Sequence, residues 1–188
     1  MEIYLVRHTT PAIDKGICYG QTNLDVTDSF ETEYKAVHKK ISFAEGMQVF
    51  SSPLKRCKKL ANTFDEAVVE DARLMELNFG QWEMKAWDHI PSEEITPWMN
   101  DFVTLPAPSG ESYVTLQKRM VSFLNERILP AQKSLIIVSH AGPIRALLAY
   151  IKKIPLKDSF AIQLNYGHVV HLSYKDATFN IEKGLQIK

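Results

Sequence analysis

The chain of 188 residues has only two cysteines, Cys18 and Cys57, too few for a disulfide framework, and the scarcity points to a reducing, cytoplasmic setting. Its start, MEIYLVRH, carries neither the basic opening nor the apolar stretch of a signal peptide. No apolar run approaches the roughly 20 residues that span a bilayer, so a membrane is not an expected partner. Net charge is also missing. Lys plus Arg number 22 and Asp plus Glu number 22, and without a basic surplus nucleic acid is not an expected partner either. No glycine-rich loop ends in Gly-Lys-Ser/Thr, which argues against a nucleotide-hydrolysing P-loop. A cysteine phosphatase needs an Arg six residues after its Cys, and those positions hold Leu24 and Thr63. Both thiols therefore read as small packing residues. No repeat, low-complexity tract or linker divides the sequence.

At 45% hydrophobic and 10% aromatic residues, the chain can bury one substantial core, and one domain over residues 1–188 is expected. Strand and helix patterns alternate. EIYLV (2–6) reads as a strand, and Phe30, Tyr34, Val37 and Ile41 then recur at helical spacing within 28–43. MQVFSS (47–52) reads as a second strand; Pro53 suits a first helical turn, and Leu54, Cys57, Ala61 and Phe64 form one stripe. Residues 112–128 place Tyr113, Leu116, Met120, Phe123 and Leu124 on one helical face, SLIIVS (134–139) is the most apolar strand, and GPIRALLAYI (142–151) follows as a helix. FAIQLNYGHVVHLSY and FNIEKG predict two antiparallel strands near a sheet edge. Such alternation predicts an α/β three-layer sandwich, a mostly parallel central sheet with helices on both faces. Between these units, about 84–111 is rich in proline and tryptophan and predicts short helices and loops that can act as a lid.

In this class ligands sit outside the carboxyl ends of the strands. Two strands finish alike there, EIYLVRH in Arg7-His8 and SLIIVSHAG in Ser139-His140. As neighbours in a parallel sheet, their imidazoles would stand about 5 Å apart at one rim. Arg56 follows the second strand in the first turn of its helix, on the same rim. Two arginines and two histidines, with helix N-termini beside Arg56 and Gly142, suit a dianion such as a phosphoryl group. A neutral imidazole is a nucleophile toward phosphorus, and Arg7 and Arg56 disfavour its protonated form, which assigns the attack to His8. Arg7, Arg56 and, if protonated, His140 would spread positive charge over the transferring group. For the leaving oxygen, RLMELNFGQWE offers Glu76, a carboxyl beside apolar Leu74, Leu77 and Phe79, as general acid.

Taken together, Arg-His after the first strand, SSPLKR, RLMELNFGQWE, PSGES and SHAG, in this order from residue 1 to about 145, resemble the histidine phosphatase superfamily, the phosphoglycerate mutase-like fold. The resemblance implies that His8 is phosphorylated, that Arg7, Arg56 and His140 hold the phosphate, that Glu76 donates the proton, and that neither metal nor other cofactor takes part. RHTTP, GICYGQT and FGQWEMKAWDHI look most like the alpha-ribazole phosphatase family within it. That implies a small phosphomonoester as substrate, with Thr9, Tyr19, Gly20 and Gln21 as further contacts. Thr9 and Thr10 stand where Gly-Glu often follows the catalytic His, and their hydroxyls can supply donors to the phosphate.

Plainer readings apply to the remaining candidates. Ser52 and Ser139 read as closing local turns. His168 and His171 of HVVH would point to opposite faces of a strand and so make no metal pair. His38 and His89 read as helix-surface residues. Lys55, Lys58 and Lys59 form a solvated face. Of Trp87 and Trp98, one is assigned to core and the other to substrate contact. A broad sugar-phosphate or nucleotide phosphatase shares the same motifs. A mutase must hold its phosphohistidine away from water, and a chain of this length leaves little room for the insertions that do so. A non-catalytic phosphate-binding or partner-binding module would be expected to have lost His8 or Glu76.

Overall fold

The computed structural model describes residues 1–42 and 46–187. Six strands, β1 (Glu2–Arg7), β2 (Gln48–Ser51), β3 (Val69–Glu70), β4 (Leu135–Ser139), β5 (Val169–Lys175) and β6 (Thr178–Lys183), form one sheet in the order β3-β2-β4-β1-β5-β6. The four strands from β3 to β1 run parallel, whereas β5 and β6 are antiparallel. This is the expected mostly parallel sheet with an antiparallel edge.

Alternation along the strands makes the two cores. Ile3 and Leu5 of β1 join Leu135 and Ile137 of β4 on one face, under α4 (Tyr113–Phe123) and α5 (Ala141–Lys152). Tyr4, Val6, Ile136 and Val138 point the other way, onto Val37 of α1 (Phe30–His38) and Cys57, Leu60 and Ala61 of α2 (Lys55–Ala61). Successive side chains on a strand face opposite sides, so β1 and β4, apolar at every position over Ile3–Val6 and Leu135–Val138, fit only the covered centre of such a sheet. The sandwich has three layers.

Several boundaries differ from the sequence expectation. The helix expected over 28–43 ends at His38; Lys40 and Ile41 continue in tighter turns onto Val37 and His38, which still buries Ile41. Residue 43 of that expectation lies outside the described residues, as do 44, 45 and 188 of the expected domain. Pro53 precedes α2, because Leu54 at its N-cap is extended. The helix expected over 112–128 keeps α-helical form to Phe123 and finishes as a wider π-type turn, Leu124–Ile128. The long strand expected from 160 starts only at Val169: Leu156–Ala161 is a 3-10 turn, and Gly167 turns the chain with φ at 63°. Residues 84–111 hold a 3-10 turn at Trp87–His89 and α3 (Ser92–Asn100), as expected. No helix among the described residues is long and apolar enough to cross a membrane.

Candidate active site

The register of β1 and β4 builds the site. Arg7 lies opposite Ser139, and His8 N donates to Ser139 O at 3.0 Å, so the next residues, His8 and His140, leave the sheet side by side. Their ring centroids are 4.9 Å apart. Because β5 runs antiparallel to β1, its entry turn reaches the same rim: Arg7 N donates to His168 O and Gly167 N to His8 O.

Electrostatics then fix the protonation of both imidazoles. His8 is buried, and its pKa lies well below the ordinary histidine value, first through desolvation and then through Arg56 and Arg7. Its Nδ1 is 2.6 Å from Thr9 O. A carbonyl only accepts, so the proton sits on Nδ1 and the lone pair on Nε2. Burial and Arg56 likewise push His140 well down, which disfavours the protonated form on which its sharing of positive charge depends. It can offer one N–H but not a charge, and its Nε2 stands 2.9 Å from Ser52 Oγ. The positive charge belongs to Arg7 and Arg56.

Each arginine is anchored by carbonyls that leave part of its guanidinium free. Arg7 Nη1 donates to Leu164 O at 2.5 Å. Arg56, fully buried, donates through Nη1 to Thr22 O and through Nη2 to Gly20 O. Arg7 Nε, Arg56 Nε and Thr9 Oγ1 are the buried side-chain polar atoms without a partner among the described residues.

Glu76 enters from the loop before the 3-10 turn at Gly80–Trp82. Its Oε1 accepts from Leu77 N at 2.9 Å and its Oε2 from Gly142 N, on α5, at 3.3 Å. Gly142 is glycine because this approach is close: a Cβ there would lie 2.2 Å from Glu76 Oε1. Arg119, paired with Glu111 of the PSGES motif at 2.7 Å, also donates to Glu76 O and Arg73 O, bracing the segment from α4.

Gly20 and Gln21 serve the site from behind. Gly20 presents its carbonyl to Arg56, and the Gln21 amide donates to Glu76 O. Sequence reasoning missed Glu83, which accepts from the backbone N–H groups of Gln21, Thr22 and Phe79 and from the Thr22 hydroxyl. Burial alone would raise its pKa, but these donors outweigh burial and hold it below the usual carboxylate range. Tyr166 was missed as well. Its ring lies 4.0 Å from the Arg7 guanidinium carbon and 5.6 Å from the His8 ring, and its hydroxyl meets that of Tyr19 at 2.6 Å. Tyr19 in turn faces Arg56 at 5.5 Å. The available signal was NYGH, a turn leading into an antiparallel strand and therefore onto the rim.

Beside Glu76 and Gly142 opens a cavity of about 370 Å³ with Phe79, Trp87, Trp98 and Phe160 in its walls. Trp87 and Trp98 both line it and both pack against the small core cluster of Cys18, Trp82, Ile90 and Ala107, so the two are not divided between core and cavity; Trp82, tied to Glu94, is the buried indole. Away from this rim, His171 stacks on Tyr4 and bonds Glu2, and His168 bonds Gly184 O. His38 stacks on Phe64 and bonds Thr63, half-buried instead of on the surface. Ser139 Oγ donates to Leu74 O, a long-range tie and not a local turn. No cluster of three or more His, Cys, Asp or Glu among the described residues can hold a metal ion.

The chain is similar in sequence and in fold to known proteins. A Hydrogenobacter thermophilus protein provisionally named phosphoserine phosphatase 2 is 26% identical over 186 residues, covering 94% of this chain and 92% of its own. The adenosylcobalamin/alpha-ribazole phosphatase of Salmonella typhimurium is 27% identical over 176 residues, covering 89% and 87%. The crystal structure of the alpha-ribazole phosphatase from Shigella flexneri superposes with a TM-score of 0.88 at 21% identity, over 97% of this chain and 95% of that one. The sequence profile of the histidine phosphatase superfamily (branch 1) matches residues 3–184, and the chain belongs to that family.

Proposed function

We propose that the chain hydrolyses a phosphomonoester through a phosphohistidine at His8. The observation that carries this reading is the set of unpartnered buried atoms, Arg7 Nε, Arg56 Nε and Thr9 Oγ1. A buried polar group left unbonded costs about 1–3 kcal/mol, and a phosphoryl dianion supplies acceptors for all three. In the first half-reaction the His8 Nε2 lone pair forms the N–P bond. The P–O ester bond breaks with its electron pair on the leaving oxygen, which takes the proton of Glu76. In the second half, water attacks phosphorus, Glu76 accepts its proton, and the N–P pair returns to Nε2. Arg7 and Arg56 hold the equatorial oxygens throughout, where a loose transition state gathers charge.

For the substrate we infer alpha-ribazole 5′-phosphate, an ester with an aromatic base. The support is the indole-walled cavity next to Glu76, together with similarity to the Salmonella enzyme. In this reading residues 84–111 form a lid over the leaving group. We read the chain as one domain, a reading supported by a sheet that takes strands from Glu2 to Lys183, and place it in the cytoplasm, which its two free cysteines support. Similarity to the Hydrogenobacter protein favours a second reading, a phosphatase for phosphoserine or of broad specificity.

The test is phosphate release from alpha-ribazole 5′-phosphate, phosphoserine, 3-phosphoglycerate and p-nitrophenyl phosphate, with chelator present, for wild type and His8→Ala. The reading expects alpha-ribazole 5′-phosphate to lead in kcat/KM by orders of magnitude and His8→Ala to release nothing. Flat, His8-dependent release would leave the chemistry and replace the substrate.

A further inference from the structure

We propose that Arg145 selects the leaving group, by donating to an oxygen on it about one helical turn from the ester oxygen; the proposal rests on the phosphatase reading above. Arg145 follows Gly142 on α5 by three residues, so both lie on one face of that helix, and both line the cavity that Glu76 enters. Gly142 marks the place of proton transfer through its contact with Glu76. Arg145 stands one turn, about 5.4 Å, further along.

Its surroundings leave it a donor without a counter-ion. Nε donates to Ile162 O at 2.9 Å, and the guanidinium carbon lies 5.2 Å from the Phe160 ring, which fixes its plane. Among the described residues no carboxylate lies within ion-pair distance of it. Apart from Glu76, Arg145 is the charged side chain of the cavity wall: the Tyr113 hydroxyl is engaged by Ser159 and Gly142 O, the Tyr19 hydroxyl by Tyr166, and most of the remaining wall is aromatic. A charged fork set into an apolar cavity gives orientation to a ligand that the walls would otherwise hold only by contact. The ligand class that satisfies both parts has a flat apolar ring for Trp87 and Trp98 and, between ring and ester, an oxygen acceptor for Arg145.

Two oxygen sources have this chemistry, a sugar hydroxyl and a carboxylate, and three substrates separate them. Alpha-ribazole 5′-phosphate has sugar oxygens and a ring, phosphoserine has a carboxylate, and phenyl phosphate has a ring with no acceptor. Hydrogen bonds to a charged group are worth about 1.5–3 kcal/mol. Arg145→Met is therefore expected to lower the kcat/KM ratio of alpha-ribazole 5′-phosphate over phenyl phosphate roughly ten- to hundredfold. Arg145→Lys, which keeps a cation, restores part of it. Inhibition by vanadate, read on both variants, reports whether the phosphate site is intact. If the phosphoserine ratio falls and the alpha-ribazole ratio does not, Arg145 still selects an oxygen, and the alpha-ribazole reading fails. If all three substrates fall together, or no ratio moves, Arg145 only supports the fold through Ile162 and the proposal is overturned.

Discussion

His8 Nδ1 and the carbonyl oxygen of Thr9 are 2.6 Å apart, and this one bond sets which nitrogen of His8 can attack. With the Nδ1 proton fixed on an acceptor that cannot donate, Nε2 holds the lone pair, and burial, with Arg56 and then Arg7, disfavours its protonation. The nucleophile needs no separate base.

The same burial makes stability depend on pH. His8 and His140 both have folded pKa values below their unfolded ones, so each is neutral in the folded chain and gains its proton on unfolding. Their contribution is full above about 6.5 and falls as pH drops below it, by up to about 1.4 kcal/mol per pH unit for each. Urea unfolding at pH 7 and pH 5 should show a lower midpoint at pH 5. His140→Gln should flatten the difference; an unchanged difference in both His140→Gln and His8→Asn would assign it to other groups.

Gly142→Ala tests the place of the acid. The added Cβ would meet Glu76 Oε1 at 2.2 Å, and the carboxyl end must move. A displacement of about 1 Å at a reacting group costs on the order of a hundredfold in rate. Single-turnover kinetics should show that loss in kcat with an intact fold by circular dichroism. A wild-type kcat would place the proton donor elsewhere.

Glu83 acts through the loop that holds Arg56. It accepts the N–H groups of Gln21 and Thr22, whose neighbouring carbonyls, Gly20 O and Thr22 O, receive the guanidinium. Glu83→Ala should lower stability by about 1.5–3 kcal/mol and raise the vanadate inhibition constant, because Arg56 loses its frame. Glu83→Gln, which keeps one acceptor, should fall between. Lost stability with unaltered vanadate binding would leave Glu83 a structural residue only.

The sheet and the rim were legible because β1 and β4 announce themselves: each is an apolar run ending in a basic pair or Ser-His, and parallel neighbours carry such ends to one place. Arg56 could be read for the same reason, just after the second strand, whereas Glu76 was read from the motif RLMELNFGQWE, beside apolar Leu74, Leu77 and Phe79. Val69–Glu70 was not legible, since two residues carry no period. Tyr166 and Tyr19 are 147 positions apart and meet only because β5 runs back along β1. Glu83 and Arg145 look like ordinary surface charges on their elements; what distinguishes them is a set of backbone donors in one case and an aromatic wall in the other. The charge state of His140 was not legible, because the depth of its burial is a property of the packed sandwich.

The most direct test of the account is to quench the enzyme in alkali during turnover of p-nitrophenyl phosphate and map phosphorylation by mass spectrometry. The account predicts one phosphoryl group, acid-labile and alkali-stable as a phosphohistidine is, on the peptide holding His8, absent from His8→Ala and accumulating in Glu76→Gln. Turnover with the label on another residue, or undiminished turnover in His8→Ala, would contradict it.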